Sequence, residues 1–254
     1  MLQSYLVRGL KAGLVGGLAF GVFVALVANP LVGFTEALAG GHDHGETAGH
    51  DEASHHAEST TGVLDAVSTD AVSVVAGVFW GLLLGVVAFG VVFYFLEPAI
   101  PGAEDTASYL VGGAGFLTVS GAPWLVLPPQ PPGVESAIPV DTRLLWYAGA
   151  MLAGAVACVL AGYAYNRVRS RGRGQALLAA AVPLGTLLAL PLVAPGTTGT
   201  AAIPSAAAFG FRALVVVGQL GLWLVLAAAH AWLLGRTTTQ PSAVAASHDA
   251  PSAD

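Results

Sequence analysis

Six apolar runs, at about residues 5–28, 71–96, 107–127, 144–166, 175–194 and 207–234, constrain this chain more than any other feature. Each is about as long as the roughly 20 residues a helix needs to cross a bilayer core of about 30 Å. The chain has 254 residues, 55% hydrophobic and 9% charged, with mean hydropathy +0.73, so it cannot also hold a large soluble domain. The expected fold is an all-α integral membrane protein, a polytopic bundle of six transmembrane helices, with five as the alternative count. The third run carries Gly112, Gly113, Gly115, Gly121 and Pro123, and the fifth carries Pro183 and Pro191. Either is therefore open to a kinked or re-entrant course. Residues 1–236 are expected to form the transmembrane domain, including a histidine-rich loop at 38–68, and residues 237–254 a disordered tail.

Orientation follows from lysine and arginine, whose excess stays on the cytoplasmic side. The clearest marker is "NRVRSRGRG", which puts Arg167, Arg169, Arg171 and Arg173 between the fourth and fifth runs. If that loop is inside and all six runs span, Arg8, Lys11 and Arg236 are inside too, seven of the nine basic residues. Both termini are then cytoplasmic and the histidine-rich loop faces outward. Arg143 and Arg212, the exceptions, fall at outer helix ends, where long side chains snorkel to the headgroups. A competing reading takes residues 1–39 as a cleaved secretory signal ending in "EALAG". The length of the apolar run and the intervening Asn29, Pro30 and "LVGFTEAL" count against it, and the loop is extracytoplasmic either way. Eight arginines to one lysine, with an acidic balance, fit a prokaryotic plasma membrane protein.

Small residues recur four apart as Gly13, Gly17 and Gly21, as Gly77, Gly81 and Gly85, and as Ala150 and Gly154. In lipid such spacing marks faces where helices approach closely. Trp80, Trp124, Trp146 and Trp232 are explained by interfacial anchoring or core filling. Cys158, the single cysteine, lies inside an apolar run and offers neither a disulfide nor a thiolate cluster. The net charge of −6, without a basic face, excludes nucleic acid as a partner.

Between the first two runs lies "GGHDHGETAGHDEASHHAEST", residues 40–60, with five of the seven histidines and five carboxylates. Neutral imidazole suits cobalt, nickel, copper and zinc, and carboxylates add charge and oxygen donors. His42, His44, His50, His55 and His56 are the candidate metal ligands. The segment cannot bury a core, so disorder without metal is expected, with moderate affinity and rapid release, which suits capture of an ion better than storage. The bland alternative is a solvated acidic loop with incidental histidines. Apart from Arg8, Lys11 and Arg212 toward run ends, His230 is the candidate ligand inside a span; it lies near the cytoplasmic end, where an interfacial or helix-bonded histidine accounts for it at least as well as a metal ligand. No P-loop, HExxH, GxSxG or kinase signature occurs, so neither ATP hydrolysis nor another enzymatic activity is expected. The stretch "GAPWLVLPPQPPGVESAIP", residues 121–139, reads as a stiff outer connector.

The order of features resembles the CbtA family of proposed cobalt transporter subunits. The resemblance rests on an N-terminal basic span, a polar histidine-containing loop, "FWGLLLG" at 79–85, "GFLTVSGAPWLVLPPQPPG" at 115–133 and "DTRLLWYAGAM" at 141–151. Its most specific part is Phe116, Pro123, Pro128, Pro129 and the Pro132–Gly133 pair, with Arg143 shortly after. Some relatives carry a histidine just before the proline of this stretch; here the neighbourhood is "VSGAP", with Ser120 and Gly121. The resemblance implies a membrane subunit for cobalt uptake linked to cobalamin supply, about five spans, and a small single-span companion, CbtB. No permanently bound cofactor is implied; cobalt, or nickel or zinc, is the transported ion. The alternative from another class is a non-transporting membrane metal sensor or assembly scaffold.

Overall fold

The computed structural model describes residues 2–40, 55–100, 104–131, 138–195 and 205–238, and no strand occurs among them. Six helices are long and apolar enough to cross a membrane: α1 (Leu2–Phe34), α2 (Ser68–Ala99), α3 (Thr106–Val126), α4 (Val140–Arg171), α5 (Arg173–Val193) and α6 (Ser205–Arg236). All six apolar runs form such helices, and the two doubtful ones stay helical throughout. In α3 a π-turn at Leu117–Gly121 leads into Ala122–Val126, whose first turn takes Pro123, a residue with no N–H to lose. In α5 Pro183 sits inside Arg173–Thr186, and a 3₁₀ turn at Leu187–Ala189 tightens the ladder before Pro191. Further π segments interrupt α1 at Val24–Ala28 and α2 at Gly85–Val92.

Helix flanks the expected loop on both sides and reaches two residues into the expected tail. Residues 38–40 close the helix Asn29–Gly40, and the helix leading into α2 opens at His55. Helix therefore runs through 55–60, where composition had pointed to disorder, because extending an existing helix needs no new nucleus. Thr237 and Thr238 continue the helix of α6. The rest of the expected loop and tail, residues 41–54 and 239–254, lies outside the described residues.

α1, α2, α3 and α6 pack as one group around Phe89, Phe93, Val111, Trp223 and Leu226. The seam between α1 and α2 is made of the glycines that the spacing singled out, with Gly9 added. A Cβ on Gly13 would stand 2.5 Å from Gly81 O, and one on Gly77 would stand 2.5 Å from Gly21 Cα. The two backbones are thus in direct contact, which is how helices gain packing energy where lipid offers no hydrophobic driving force. α4 and α5 form a hairpin beside this group, joined to it through Ala122, Ala157 and Leu187. Its turn needs Gly172, whose φ of 128° and ψ of 151° suit glycine alone.

Contacts across the ends sort the basic residues. Tyr5 bonds Glu97, and Asn166 Nδ2 donates to Ala99 O at 3.1 Å, so the start of α1 and the ends of α2 and α4 share one end of the bundle. At the opposite end Asn29 donates to Asp70 at 2.8 Å and to Ser73 at 3.0 Å, and Arg212 Nε donates to Pro129 O at 3.2 Å. Arg212, one of the two exceptions to the basic asymmetry, therefore pins the proline-rich connector.

Candidate functional site

α6 turns one face toward the four-helix core, and Gln219, Trp223, Leu226 and His230 follow each other along it at helical spacing. His230 is 0% exposed. Its Nδ1 lies 2.9 Å from Ser108 Oγ of α3, and Ser108 is itself fully buried. The rings of Phe89 and Phe93, both on α2, sit 5.1 Å and 4.6 Å from the imidazole, centre to centre. Nε2 has no hydrogen-bond partner among the described residues, and neither has Nε1 of Trp223. An unpaired buried polar atom costs free energy, so each calls for a reason.

A second, weaker rung joins the same two helices farther along, where Ser120 Oγ and Gln219 Oε1 stand 3.5 Å apart. Gln219 and His230 are eleven residues apart, a net rotation of only about 20° on an α-helix, so both face α3. Ser108 and Ser120 are twelve apart, which on a regular helix would turn Ser120 away by about 120°. The π-turn at Leu117–Gly121 absorbs the extra residue and brings Ser120 back into line. The glycines of α3 have a related purpose: a Cβ on Gly112 would meet Ala227 Cβ at 2.9 Å, and Gly115 makes room for the Trp223 ring. Beyond Phe93 lies Tyr5, 6.3 Å away between ring centres, with its hydroxyl on Glu97.

Of the five histidines singled out from sequence, His42, His44 and His50 lie outside the described residues. His55 and His56 open the helix His55–Leu84. No group of three or more metal-capable side chains occurs among the described residues. His230 is neither interfacial nor bonded to its own helix: it is core, and its partner comes from another helix. Ser108, Gln219 and Trp223 went unremarked in the sequence, although the shared face of Gln219, Trp223 and His230 could have drawn attention to them. Of the tryptophans named from sequence, Trp80 and Trp232 are largely exposed to the surroundings of the bundle. The tryptophan that fills the core is Trp223, 3% exposed.

No match to the chain is found among curated proteins or among solved structures. The family model CbtA, described as probable cobalt transporter subunit, matches residues 2–235. That match takes in nearly the whole of the six-helix bundle, and the protein belongs to the CbtA family of probable cobalt transporter subunits.

Proposed function

We propose that this multi-pass protein is the membrane subunit of a cobalt uptake transporter in a prokaryotic plasma membrane, and that its histidine-rich segment collects the ion outside the cell. The observation that carries this reading is the family match across all six spans. Being a subunit implies a partner in a transporter complex, and the companion proposed is a small single-span CbtB-like protein. The basic residues gathered toward the end that holds Tyr5, Glu97 and Asn166 support a cytoplasmic placement of that end and of both termini. The segment at 40–60 then faces outward, where five imidazoles among carboxylates meet the ion first. A transport role calls for no enzymatic activity of the chain itself and no resident cofactor.

The test is uptake of radiolabelled cobalt and nickel by cells with and without this chain and its companion. Accumulation that depends on the chain supports transport; equal accumulation without it leaves a sensor or scaffold. Replacing His42, His44, His50, His55 and His56 with alanine is expected to raise the half-saturating cobalt concentration and to leave maximal uptake largely intact. Imidazole binds metal only when unprotonated, so this advantage should fade as external pH falls through about 6.5. If neither quantity moves, the five histidines are incidental.

A further inference from the structure

We propose that the arginine turn between α4 and α5 is a binding surface for anionic phospholipid, whose phosphates meet the guanidiniums of Arg167, Arg169, Arg171 and Arg173 and anchor the hairpin beside the core. The inference takes from the reading above only that the chain spans a membrane, so it stands or falls separately from cobalt transport. Arg167 lies in the last turn of the helix Val140–Val168, Arg169 and Arg171 bound the 3₁₀ turn, and Arg173 opens α5. Both helices are long and apolar enough to cross the membrane, so the turn that joins them stands at headgroup depth. One helical turn away on either side, Tyr163, Leu177 and Leu178 are largely exposed, as side chains that face acyl chains are.

These four arginines lack partners in the chain, which others have. Arg8 lies 5.2 Å from the Tyr5 ring centre, Arg236 lies 3.7 Å over Trp232, and Arg212 donates to Pro129 O. The side chains of Arg167, Arg169, Arg171 and Arg173 are exposed and make no hydrogen bond, ion pair or ring contact among the described residues. The first turn of α5 holds no acidic residue. The carboxylates described at this end are Glu97, already engaged by Tyr5, and Glu104 and Asp105 at the start of α3. Three carboxylates face the four arginines together with Arg8, Lys11 and Arg236, which leaves a surplus of four positive charges. The planar guanidinium matches phosphate oxygens with two parallel hydrogen bonds, and such a basic cluster at the end of a span attracts anionic lipid. An acidic protein segment would match the charge alone; the apolar side chains beside the turn favour a molecule that has phosphate and acyl chains together. The hairpin also has a use for the anchor. Only 11% of the α5 window is buried, and at this end Asn166 ties α4 to the core through one bond to Ala99 O.

The test takes the purified full-length protein, stripped of lipid in a neutral maltoside detergent, and adds phosphatidylglycerol, phosphatidylcholine or inorganic phosphate. Native mass spectrometry counts retained lipid, and a thermal scan follows the fold. Phosphatidylglycerol should be retained about fivefold or more over phosphatidylcholine, fivefold being the worth of one arginine at an anionic surface, and should raise the thermal midpoint. The combined Arg167→Gln, Arg169→Gln, Arg171→Gln and Arg173→Gln variant should lose the preference and the rise. The corresponding lysine set should keep most of both, and Arg236→Gln should leave both unchanged. Equal retention of the two lipids, or a preference that survives the glutamine set, overturns the proposal and leaves arginines that only orient the chain. If inorganic phosphate gives the same midpoint rise through the same arginines, the ligand is the free anion and the lipid assignment falls. It falls equally if the glutamine set keeps its lipid but no longer co-purifies with a partner protein. Should the glutamine set fail to insert, hydrogen exchange on the unaltered chain decides: phosphatidylglycerol should slow exchange most at residues 167–174, and protection spread evenly over the bundle overturns the site.

Discussion

α1 and α5 are equally apolar, with mean hydropathy of 2.1 and 2.2 over their best windows, yet 33% of the first window is buried and only 11% of the second. In water such a difference would contradict the hydropathy; in lipid it does not, because tails are as apolar as a protein core. What separates the two helices is where glycine can be used. The glycines of α1 at 9, 13, 17 and 21 are pressed against backbone or core side chains, whereas Gly174 and Gly185 of α5 have nothing within 4 Å of where a Cβ would stand. The core of α1, α2, α3 and α6 is held by close backbone approach, and the α4–α5 hairpin leans on it through a few small and aliphatic side chains.

The largest effect should come from pushing that seam apart. Gly81→Leu sets a side chain against the Gly13 carbonyl and the Gly17 backbone, which cannot move aside, so its cost should exceed the ~1–3 kcal/mol of ordinary overpacking. Gly162→Leu, on the open side of α4, should be close to neutral. Yield of monodisperse protein in detergent and its thermal midpoint compare the two, and equal behaviour would erase the distinction between core and hairpin. The next effect uses two phenylalanines on α2: Phe93 is 0% exposed and Phe95 is 70% exposed. Phe93→Ala should destabilise by about 3 kcal/mol, since the cavity remains even where lipid replaces water as the reference. Phe95→Ala, which loses only lipid contacts, should stay within about 0.5 kcal/mol. Reversible unfolding in mixed micelles measures both. The smallest effect lies where the hairpin meets the core. Tyr147 Oη donates to Val119 O at 2.7 Å, a carbonyl within the π-turn of α3. Tyr147→Phe should cost about 0.6 kcal/mol, the typical value of one hydrogen bond inside a membrane protein. Hydrogen exchange should show the loss at the α3–α4 contact; a loss spread over α1 and α2 would mean that hairpin and core unfold as one unit.

Much of this was legible in the residues. The apolar runs and the glycine seam follow from length, hydropathy and four-residue spacing, with five spans left open beside six; of the proline-rich stretch expected to be a connector, residues 121–126 are instead the helical end of α3. The candidate site was legible only in part. Five histidines in a polar segment draw the eye because they are many, whereas His230 is single and reads from the sequence as interfacial. Burial, the Ser108 bond and the two phenylalanine rings give it a different character, and all three come from other helices. Arg212 shows the same limit: snorkelling accounts for its position, but its bond to Pro129 depends on a contact across 83 residues.

By itself the sequence determined that the chain is an all-α membrane protein of five or six spans and which helix faces could approach closely. Those properties belong to one segment at a time: a run either spans the apolar core or does not, and a glycine face is small wherever it ends up. Only the tertiary structure decided which polar side chains meet inside the bundle. A shift of one residue turns a helix face by about 100°, and a single π-turn in α3 makes that shift between Ser108 and Ser120. The meeting of Ser108 with His230, and of Ser120 with Gln219, therefore depends on the register of whole helices, which no local pattern encodes.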